Sequence, residues 1–190
     1  MNISASSIER KLVLFNAASV NMVTNLTQRN FVDFTQTSQQ GDYLIISNTA
    51  LATAQSGTNA LEQYRAFRSS AEGGSYTARI YFIDQLEDQF AFGIKKHPNS
   101  IRNFIRFARN QFTQPLKAVF LIGKGVLYTI DRSLEGNADL NKLSFVPTFG
   151  SPASDILLTV DPGVELTPRV AIGRLSVVNA EEILTYLEKI

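Results

Sequence analysis

From residue 41 to its C-terminus, the chain alternates short apolar runs with longer segments of helical periodicity. Continuous apolar runs next to turn-forming residues are typical of strands that are buried on both faces of a sheet. The four runs are Tyr43–Ile46, Tyr76–Ile83, Lys117–Ile122 and Arg169–Ile172. We therefore predict four buried strands.

Helical patterns lie between and after these runs. A helix is predicted over Thr58–Glu72, a short helical turn over Asp84–Gln89, and a second full helix from Pro98 onward. The second helix carries its apolar residues at i, i+3, i+4, i+7 and i+11, which form one stripe. These residues are Ile101, Phe104, Ile105, Ala108 and Phe112. A last helix begins at Asn179, because Glu182 three positions later completes a capping-box-like start.

This order of strands and helices predicts an α/β fold. Successive parallel strands need crossover helices, so we expect three layers: a mostly parallel sheet with helices on both faces. A long insertion, Val126–Pro168, separates the third and fourth strands. Insertions of this size beyond the carboxyl edge of a sheet usually carry function or pack under a neighbouring domain.

Residues 1–40 differ from the rest, because they are polar and interrupted only by brief apolar clusters. The clusters at Leu12–Phe15, Val20–Val23 and Phe31–Phe34 predict short strands or a packing arm. We therefore divide the chain into an N-terminal arm (1–40) and an α/β domain (41–190). The chain begins almost directly with a predicted strand and ends within a helix, so we expect it to be a piece of a longer polypeptide.

Composition narrows the classes of function. Of the 190 residues, 44% are hydrophobic and 18% charged, enough apolar material for a real core. The 18 basic and 17 acidic residues balance, so neither nucleic acid nor an anionic membrane is a predicted partner. The absence of cysteine excludes disulfides, thiolate metal sites and a cysteine nucleophile in this chain. The apolar runs are too short for membrane insertion.

Two motifs suggest cofactor or metal sites and are incomplete. Gly123-Lys124-Gly125 lacks the first glycine and the hydroxyl residue of a phosphate-binding loop, and we interpret it as a turn. Asn137, Asp139 and Asn141 have the alternate spacing of a calcium loop. Position six of that loop is Lys142 and position twelve is Thr148, which favours a solvated loop. We predict neither a cofactor nor a metal.

Two further residues are candidates for chemistry. His97, the only histidine, precedes Pro98 beside two lysines, which disfavour its charged form. Without a recognisable nucleophile or orienting partner, it is better interpreted as an exposed loop residue. Asp155 lies in the long insertion among Pro, Gly and Ser residues, where capping a turn is the simplest role.

Read in order, several short motifs resemble the gingipain-type cysteine peptidases, a caspase-like family. The similarity is greatest to the branch that includes the surface sortase of the type IX secretion system in Bacteroidota. The motifs are Asp42-Tyr43-Leu44-Ile45-Ile46, Ser100-Ile101-Arg102-Asn103-Phe104-Ile105, Phe120-Leu121-Ile122-Gly123, Val146-Pro147-Thr148, Ser154-Asp155, Ile172-Gly173-Arg174-Leu175 and Asn179-Ala180-Glu181-Glu182. They extend over most of residues 41–190.

The resemblance implies that this chain is the first of two subdomains of a catalytic unit. The family's His-Gly and Cys dyad lies in the second subdomain, so no catalytic role transfers to any residue here. Many relatives have an acid after the strand-ending glycine, where it can help bind calcium. This chain has Lys124 there, so no metal site transfers. Asp155 does match the family. We predict that Lys124 and Asp155 border the cleft or organise its loops.

The predicted function is therefore that of a non-catalytic subdomain of a secreted or surface-attached cysteine endopeptidase. Its partners would be the C-terminal catalytic subdomain of the same chain and a peptide or protein substrate, and the face left open would favour self-association. One alternative is an interaction or scaffold module of a pseudo-peptidase in bacterial secretion or surface attachment. Another is a free-standing flavodoxin-like domain that binds a nucleotide or another ligand. The incomplete phosphate motifs count against it.

Overall fold

The structure, a computed structural model, describes residues 28–161 and 167–190 together with residues 16, 25 and 163. The chain divides into two compact units, Met1–Asn30 and Phe31–Ile190. The apolar clusters at Leu12–Phe15 and Val20–Val23, predicted as strands or arm, lie outside the described residues. The description below concerns the second unit.

The centre of this unit is a four-stranded sheet in which every strand pairing is parallel. The strands are β1 (Tyr43–Ser47), β2 (Ala78–Phe82), β3 (Ala118–Ile122) and β4 (Ala171–Leu175), in the order β2-β1-β3-β4. Their register is flush, because Tyr43 aligns with Ala78 and Ala118, and Ala118 with Ala171. The carboxyl ends of the strands therefore meet at one edge. The predicted α/β class with a parallel sheet is confirmed.

Within the described residues, six α-helices accompany the sheet. They are α1 (Ala60–Ser69), α2 (Ile83–Phe90), α3 (Asn99–Gln111), α4 (Tyr128–Ser133), α5 (Ala138–Asn141) and α6 (Ala180–Leu187). The predicted start of the last helix is confirmed, since Asn179 Oδ1 accepts the Glu182 N–H at 3.0 Å. In return, the Glu182 carboxylate accepts the N–H of Val178.

Side chains that alternate along the strands build two cores, one on each face of the sheet. All five residues of β1 are buried. Leu44 and Ile46 pack with the apolar stripes of α2 and α3, whereas Tyr43 and Ile45 pack with α1 and α6. The predicted three-layer arrangement, with helices on both faces, is confirmed.

The segment just before β1 contributes to the core without forming a strand. Phe34 is 4% exposed, and its ring centroid lies 5.2 Å from that of Phe104. The backbone of Val32 exchanges two hydrogen bonds, of 2.9 and 2.8 Å, with the side-chain amide of Gln89. Residues 31–34 are thus held by packing and by side-chain hydrogen bonds rather than by sheet pairing.

Asp42 aligns the amino ends of three strands. Its buried carboxylate accepts the Thr77 N–H at 2.8 Å, just before β2, and pairs with Lys117 Nζ at 2.6 Å, just before β3. Its carbonyl also accepts the Lys117 N–H. The opposite, carboxyl edge of the sheet is left to the insertion between β3 and β4. Within the described residues, no helix has the length and apolar content that a membrane span requires.

Candidate functional site

The carboxyl ends of β1 and β3 form the point at which ligands bind in many open α/β sheets, because the chain leaves the two strands on opposite sides. Here the two ends are tied to each other and to the insertion. Ser47 Oγ donates to the Ile122 carbonyl at 2.8 Å, and Asn48 Nδ2 donates to the Phe145 carbonyl at 3.3 Å. The insertion is therefore fixed directly against this edge.

The turn after β3 requires glycine at two positions. Gly123 has φ +134°, and a Cβ there would lie about 3.0 Å from Leu51 and Phe145 atoms. A Cβ on Gly125 would lie 2.4 Å from the Val146 carbonyl oxygen. The two glycines therefore allow close backbone packing, which agrees with the interpretation of Gly-Lys-Gly as a turn.

Lys124, between these glycines, joins three segments through its backbone. Its N–H donates to the Val177 carbonyl at 2.8 Å, after β4. Its carbonyl accepts the N–H groups of Phe145 and Val146 at 2.9 and 3.2 Å. The backbone N–H is thus not free to bind a phosphate. The side chain is exposed and forms no ion pair with any described residue.

Arg174, in β4, is the hub of the site. Its guanidinium contacts five acceptor atoms of the insertion and of the turn after β3. The Nε and Nη2 atoms donate to the two oxygens of Asp155 at 2.7 and 2.8 Å. The Nη1 atom donates to the carbonyls of Gly123 and Val146 at 2.7 and 2.8 Å, and Nη2 also donates to that of Pro147 at 3.1 Å. All five N–H groups of this guanidinium are matched.

Asp155 begins a 3-10 turn, Asp155–Leu158, and receives the planar edge of Arg174 in a two-bond pair. Its Oδ1 also accepts the Thr148 hydroxyl at 3.0 Å. The side chains of Arg174 and Asp155 are 12% and 22% exposed. An Arg–carboxylate pair with two parallel bonds, largely out of water, fixes the relative position of the segments that carry it.

The structure therefore links the two predicted site residues through one network. Asp155 belongs to it by its carboxylate. Lys124 belongs to it by its backbone, because its carbonyl binds the Val146 N–H and the Val146 carbonyl binds Arg174. Their charged groups do not pair with each other.

A second contact fastens the insertion to the loop between α2 and α3. Lys96 Nζ donates to Asp131 Oδ1 at 3.2 Å and to Asn141 Oδ1 at 2.6 Å. Asp131 is buried, and its other oxygen accepts the Ser144 hydroxyl at 3.0 Å. Glu87 accepts the Lys96 N–H, and burial raises the pKa of this carboxyl. The loop and the insertion are thus held together by charged groups that are mostly out of water.

His97 is half-buried, so the prediction of an exposed loop residue was wrong in degree. Its Nδ1 accepts the Asn99 N–H at 3.1 Å, and its ring centroid lies 4.6 Å from that of Tyr128. Burial lowers the pKa of the imidazole and favours its neutral form. Among the described residues no carboxylate orients this ring. His97 therefore packs at the start of α3.

The three residues with calcium-loop spacing have separate partners. Asn137 caps α5 by accepting the N–H groups of Asp139 and Leu140, and Asp139 pairs with Lys142 at 3.0 Å. Asn141 accepts a hydrogen bond from Lys96. In the part of the chain that the structure describes, no group of three His, Asp or Glu side chains is placed to hold a metal ion.

Sequence reasoning missed Arg174 and Thr148 as members of the site. Both occur in motifs that carry the family resemblance, but those motifs give no role to either residue. Nothing in a spacing of nineteen residues between Asp155 and Arg174 signals a pair. An Arg at the end of an apolar strand pattern, with no acidic residue close to it in sequence, is the signal that could have prompted a search for a distant carboxylate.

Comparison with known proteins gives a family match and a similar solved structure. The model for peptidase family C25 matches residues 36–190. The fold is similar to that in the crystal structure of dimeric latent PorU from Porphyromonas gingivalis, with a TM-score of 0.56 and 18% sequence identity. That similarity covers 78% of this chain and 15% of the PorU chain. No curated protein matches the sequence.

Proposed function

The chain belongs to peptidase family C25, and on this premise we propose that it is a non-catalytic N-terminal subdomain of a gingipain-like cysteine endopeptidase. It supports the catalytic subdomain of the same parent chain. The insertion between β3 and β4 borders the cleft that receives a peptide or protein substrate.

The observation that carries this proposal is the closed network around Arg174. Its five N–H groups have acceptors within the protein, and Asp155 accepts bonds from both Arg174 and Thr148. A group that binds or activates a substrate needs a free donor, acceptor or nucleophile. This network has its polar atoms engaged with one another, as a scaffold that holds loops requires.

The missing chemistry agrees with a supporting role. A cysteine peptidase attacks the scissile carbonyl with a thiolate and forms a thioester, which water hydrolyses or an amine converts into a new peptide bond. This chain contains no cysteine, and its one histidine, His97, packs against Tyr128. In the parent, both catalytic groups would come from the second subdomain.

The proposed setting follows the family resemblance. We place the parent outside the cell or at the cell surface, as a component of type IX secretion in a member of the Bacteroidota. The second subdomain would cover an apolar face that the isolated chain leaves open, so the isolated chain would self-associate at high concentration. Light scattering over a concentration series measures this.

The proposal is tested first on the chain as it stands. The 190-residue protein should give no turnover on a library of fluorogenic peptides, because it has no thiolate. Its Asp155→Asn variant is the matched control for contamination, since any trace peptidase would be the same in both preparations. Peptidase activity that exceeds the buffer blank and copurifies with the folded protein would contradict the proposal.

A second test addresses the supporting role. Protein expressed from the source gene with a further domain's length after Ile190 should contain a His-Gly and a Cys and cleave peptides. In that longer protein, Asp155→Asn should lower kcat/KM, while Asp139→Asn, on the surface of α5, should not. Equal activity in the two variants would argue against a cleft-supporting role for the network.

The alternative, an interaction module of a pseudo-peptidase, is favoured by one observation. Phe92 is 96% exposed and Ile94 43% exposed in the loop between α2 and α3. Large exposed apolar side chains in one loop are typical of contact surfaces. The downstream sequence separates the two functions: a continued fold without the His-Gly and Cys pair would favour the interaction module.

A further inference from the structure

Three arginines contact one carboxylate on the side of the sheet that carries α3, and a fourth arginine lies beside them. Arg102, Arg106 and Arg109 lie on one face of α3, and Arg169 precedes β4. We call these four residues the arginine face. Asp161 Oδ1 lies 3.0 Å from Arg109 Nη1 and 3.6 Å from Arg106 Nε, and Asp161 Oδ2 lies 3.1 Å from Arg169 Nε.

The charges of the arginine face are not balanced. Asp161 is the one carboxylate, among the described residues, that these guanidiniums contact. Guanidinium groups stay charged in proteins, so three positive charges have no counter-charge among the residues that the structure describes. Burial and the neighbouring Arg106 both lower the pKa of Arg102, as expected where the positive charge is poorly compensated.

Two donors of the arginine face are also unused. Arg102 Nε and Arg106 Nη2 are buried and have no hydrogen-bond partner in the described part of the chain. Most buried polar groups in proteins are satisfied, so each exception needs an explanation. The Arg102 guanidinium instead lies over the Phe149 ring, 5.4 Å from its centroid. An incoming acceptor would satisfy these donors after a change of side-chain rotamer.

The spacing of the arginines fits an extended chain. Arg102 and Arg106 are one helical turn apart, about 6 Å along the axis of α3. In an extended peptide, side chains two residues apart on the same face are separated by about 7 Å. Arg106, Arg109 and Arg169 are 27%, 26% and 39% exposed, so a ligand can reach them from solvent. Two carboxylates at alternate positions would therefore each meet a guanidinium.

We propose that the arginine face binds an acidic peptide segment, in which alternate carboxylates pair with Arg102 and Arg106 beside the resident Asp161. Asp161 shows that a carboxylate fits here. A nucleic acid is not favoured, because the chain as a whole has a net charge of only +1. The inference does not depend on the proposed function, since it uses only the surface of α3 and the residue before β4.

The test is fluorescence anisotropy with a labelled peptide of alternating Glu and Ala, and with the same peptide in which Gln replaces every Glu. The full chain is used at low ionic strength, about 0.05 M, where screening is weak. We expect saturable binding of the Glu peptide alone. The R102Q/R106Q variant should bind it at least about tenfold more weakly, because two charge-assisted hydrogen-bond sites are lost.

The matched control is R65Q/R132Q, which removes the same charge. Arg65 pairs with Glu62 on α1, on the opposite face of the sheet. Arg132, on α4, pairs with Glu135 just after that helix. This control should bind like the unchanged protein. D161N should bind the Glu peptide more tightly, an effect that a purely structural role of the cluster would not produce. D161N also tests the proposal should R102Q/R106Q fold poorly.

Several results would overturn the proposal. They are the absence of saturable binding, an equal loss of binding in R65Q/R132Q, and unchanged or weaker binding in D161N. Inorganic phosphate or a single-stranded DNA oligomer that competes better than unlabelled Glu peptide would also overturn it, because the ligand class would then be a phosphate.

Discussion

The chain contains two clusters in which arginine contacts aspartate. The charges of one cluster are balanced, whereas the other carries an excess of positive charge. At the carboxyl edge of the sheet, one guanidinium, that of Arg174, has five acceptor atoms. On the arginine face, three of the four guanidiniums contact Asp161, and two buried nitrogens have no partner among the described residues. The first cluster is closed, whereas the second has capacity for another anion.

This difference distinguishes a cluster that stabilises the fold from a cluster that can bind a ligand, and it requires no sequence motif. A buried charge that is fully hydrogen-bonded contributes to one arrangement of the chain, and removing a partner leaves an uncompensated charge. A cluster with excess charge of one sign contributes little to folding, because repulsion offsets its ion pairs. It gains free energy when a ligand of opposite charge arrives. The two clusters should therefore respond differently to the same substitutions.

The largest expected contrast is between Arg174→Ala and Arg106→Ala. Arg174→Ala should lower the free energy of unfolding by about 3–5 kcal/mol, because it removes the counter-charge of Asp155 and the donor of three carbonyls. Arg106→Ala should change it by at most about 1 kcal/mol, since an unsatisfied nitrogen and a repulsion disappear with the side chain. Urea denaturation of both variants measures the difference. Equal losses would remove the distinction between the clusters.

A smaller effect compares the two carboxylates. Asp155→Asn should destabilise the fold by about 2 kcal/mol, because the amide brings donors against the donors of Arg174. This loss should be the same at about 0.1 M and 1 M salt, since the pair is largely shielded from solvent. Any loss in Asp161→Asn should diminish at high salt, because anions can reach the arginine face.

Denaturation of both variants at the two salt concentrations provides the check. Asp139→Asn, on the exposed surface of α5, is the control for the general effect of salt on an Asp→Asn change. A salt-dependent loss in Asp155→Asn, together with a salt-independent one in Asp161→Asn, would reverse our assignment of closed and open clusters.

These clusters also show what could be predicted from the sequence. The strands and the stripe of α3 follow from local apolar periodicity, and the cap of α6 from Asn179 and Glu182, so they were predicted within a few residues. The pair of Asp155 and Arg174 could not be predicted in this way, because it is the path of the insertion that brings the two residues together. The contact between Asp161 and the arginines of α3 could not be predicted either, because local sequence does not show which carboxylate lies beside that helix.

The smallest expected effect is on the titration of Asp161. Hydrogen bonds from Arg109 and Arg169 hold the pKa of the Asp161 carboxyl below its ordinary value. A carboxyl whose pKa is lower in the folded state stabilises the fold above its unfolded pKa, about 3.9. This contribution is lost as the pH falls through the folded pKa. Because the group is near solvent, we expect only a slight change in stability across that interval.

NMR titration of the side-chain carboxyl signals measures this pKa directly. Arg109→Gln should raise the pKa of Asp161 toward its ordinary value, because the hydrogen bond with the largest effect is lost. The rise should be incomplete, since Arg169 and Arg106 remain beside the carboxylate. Arg65→Gln, on α1, should leave the pKa unchanged. If Arg109→Gln also left it unchanged, Asp161 would not be the counter-charge of the arginine face, and the contrast with Asp155 would rest on Arg174 alone.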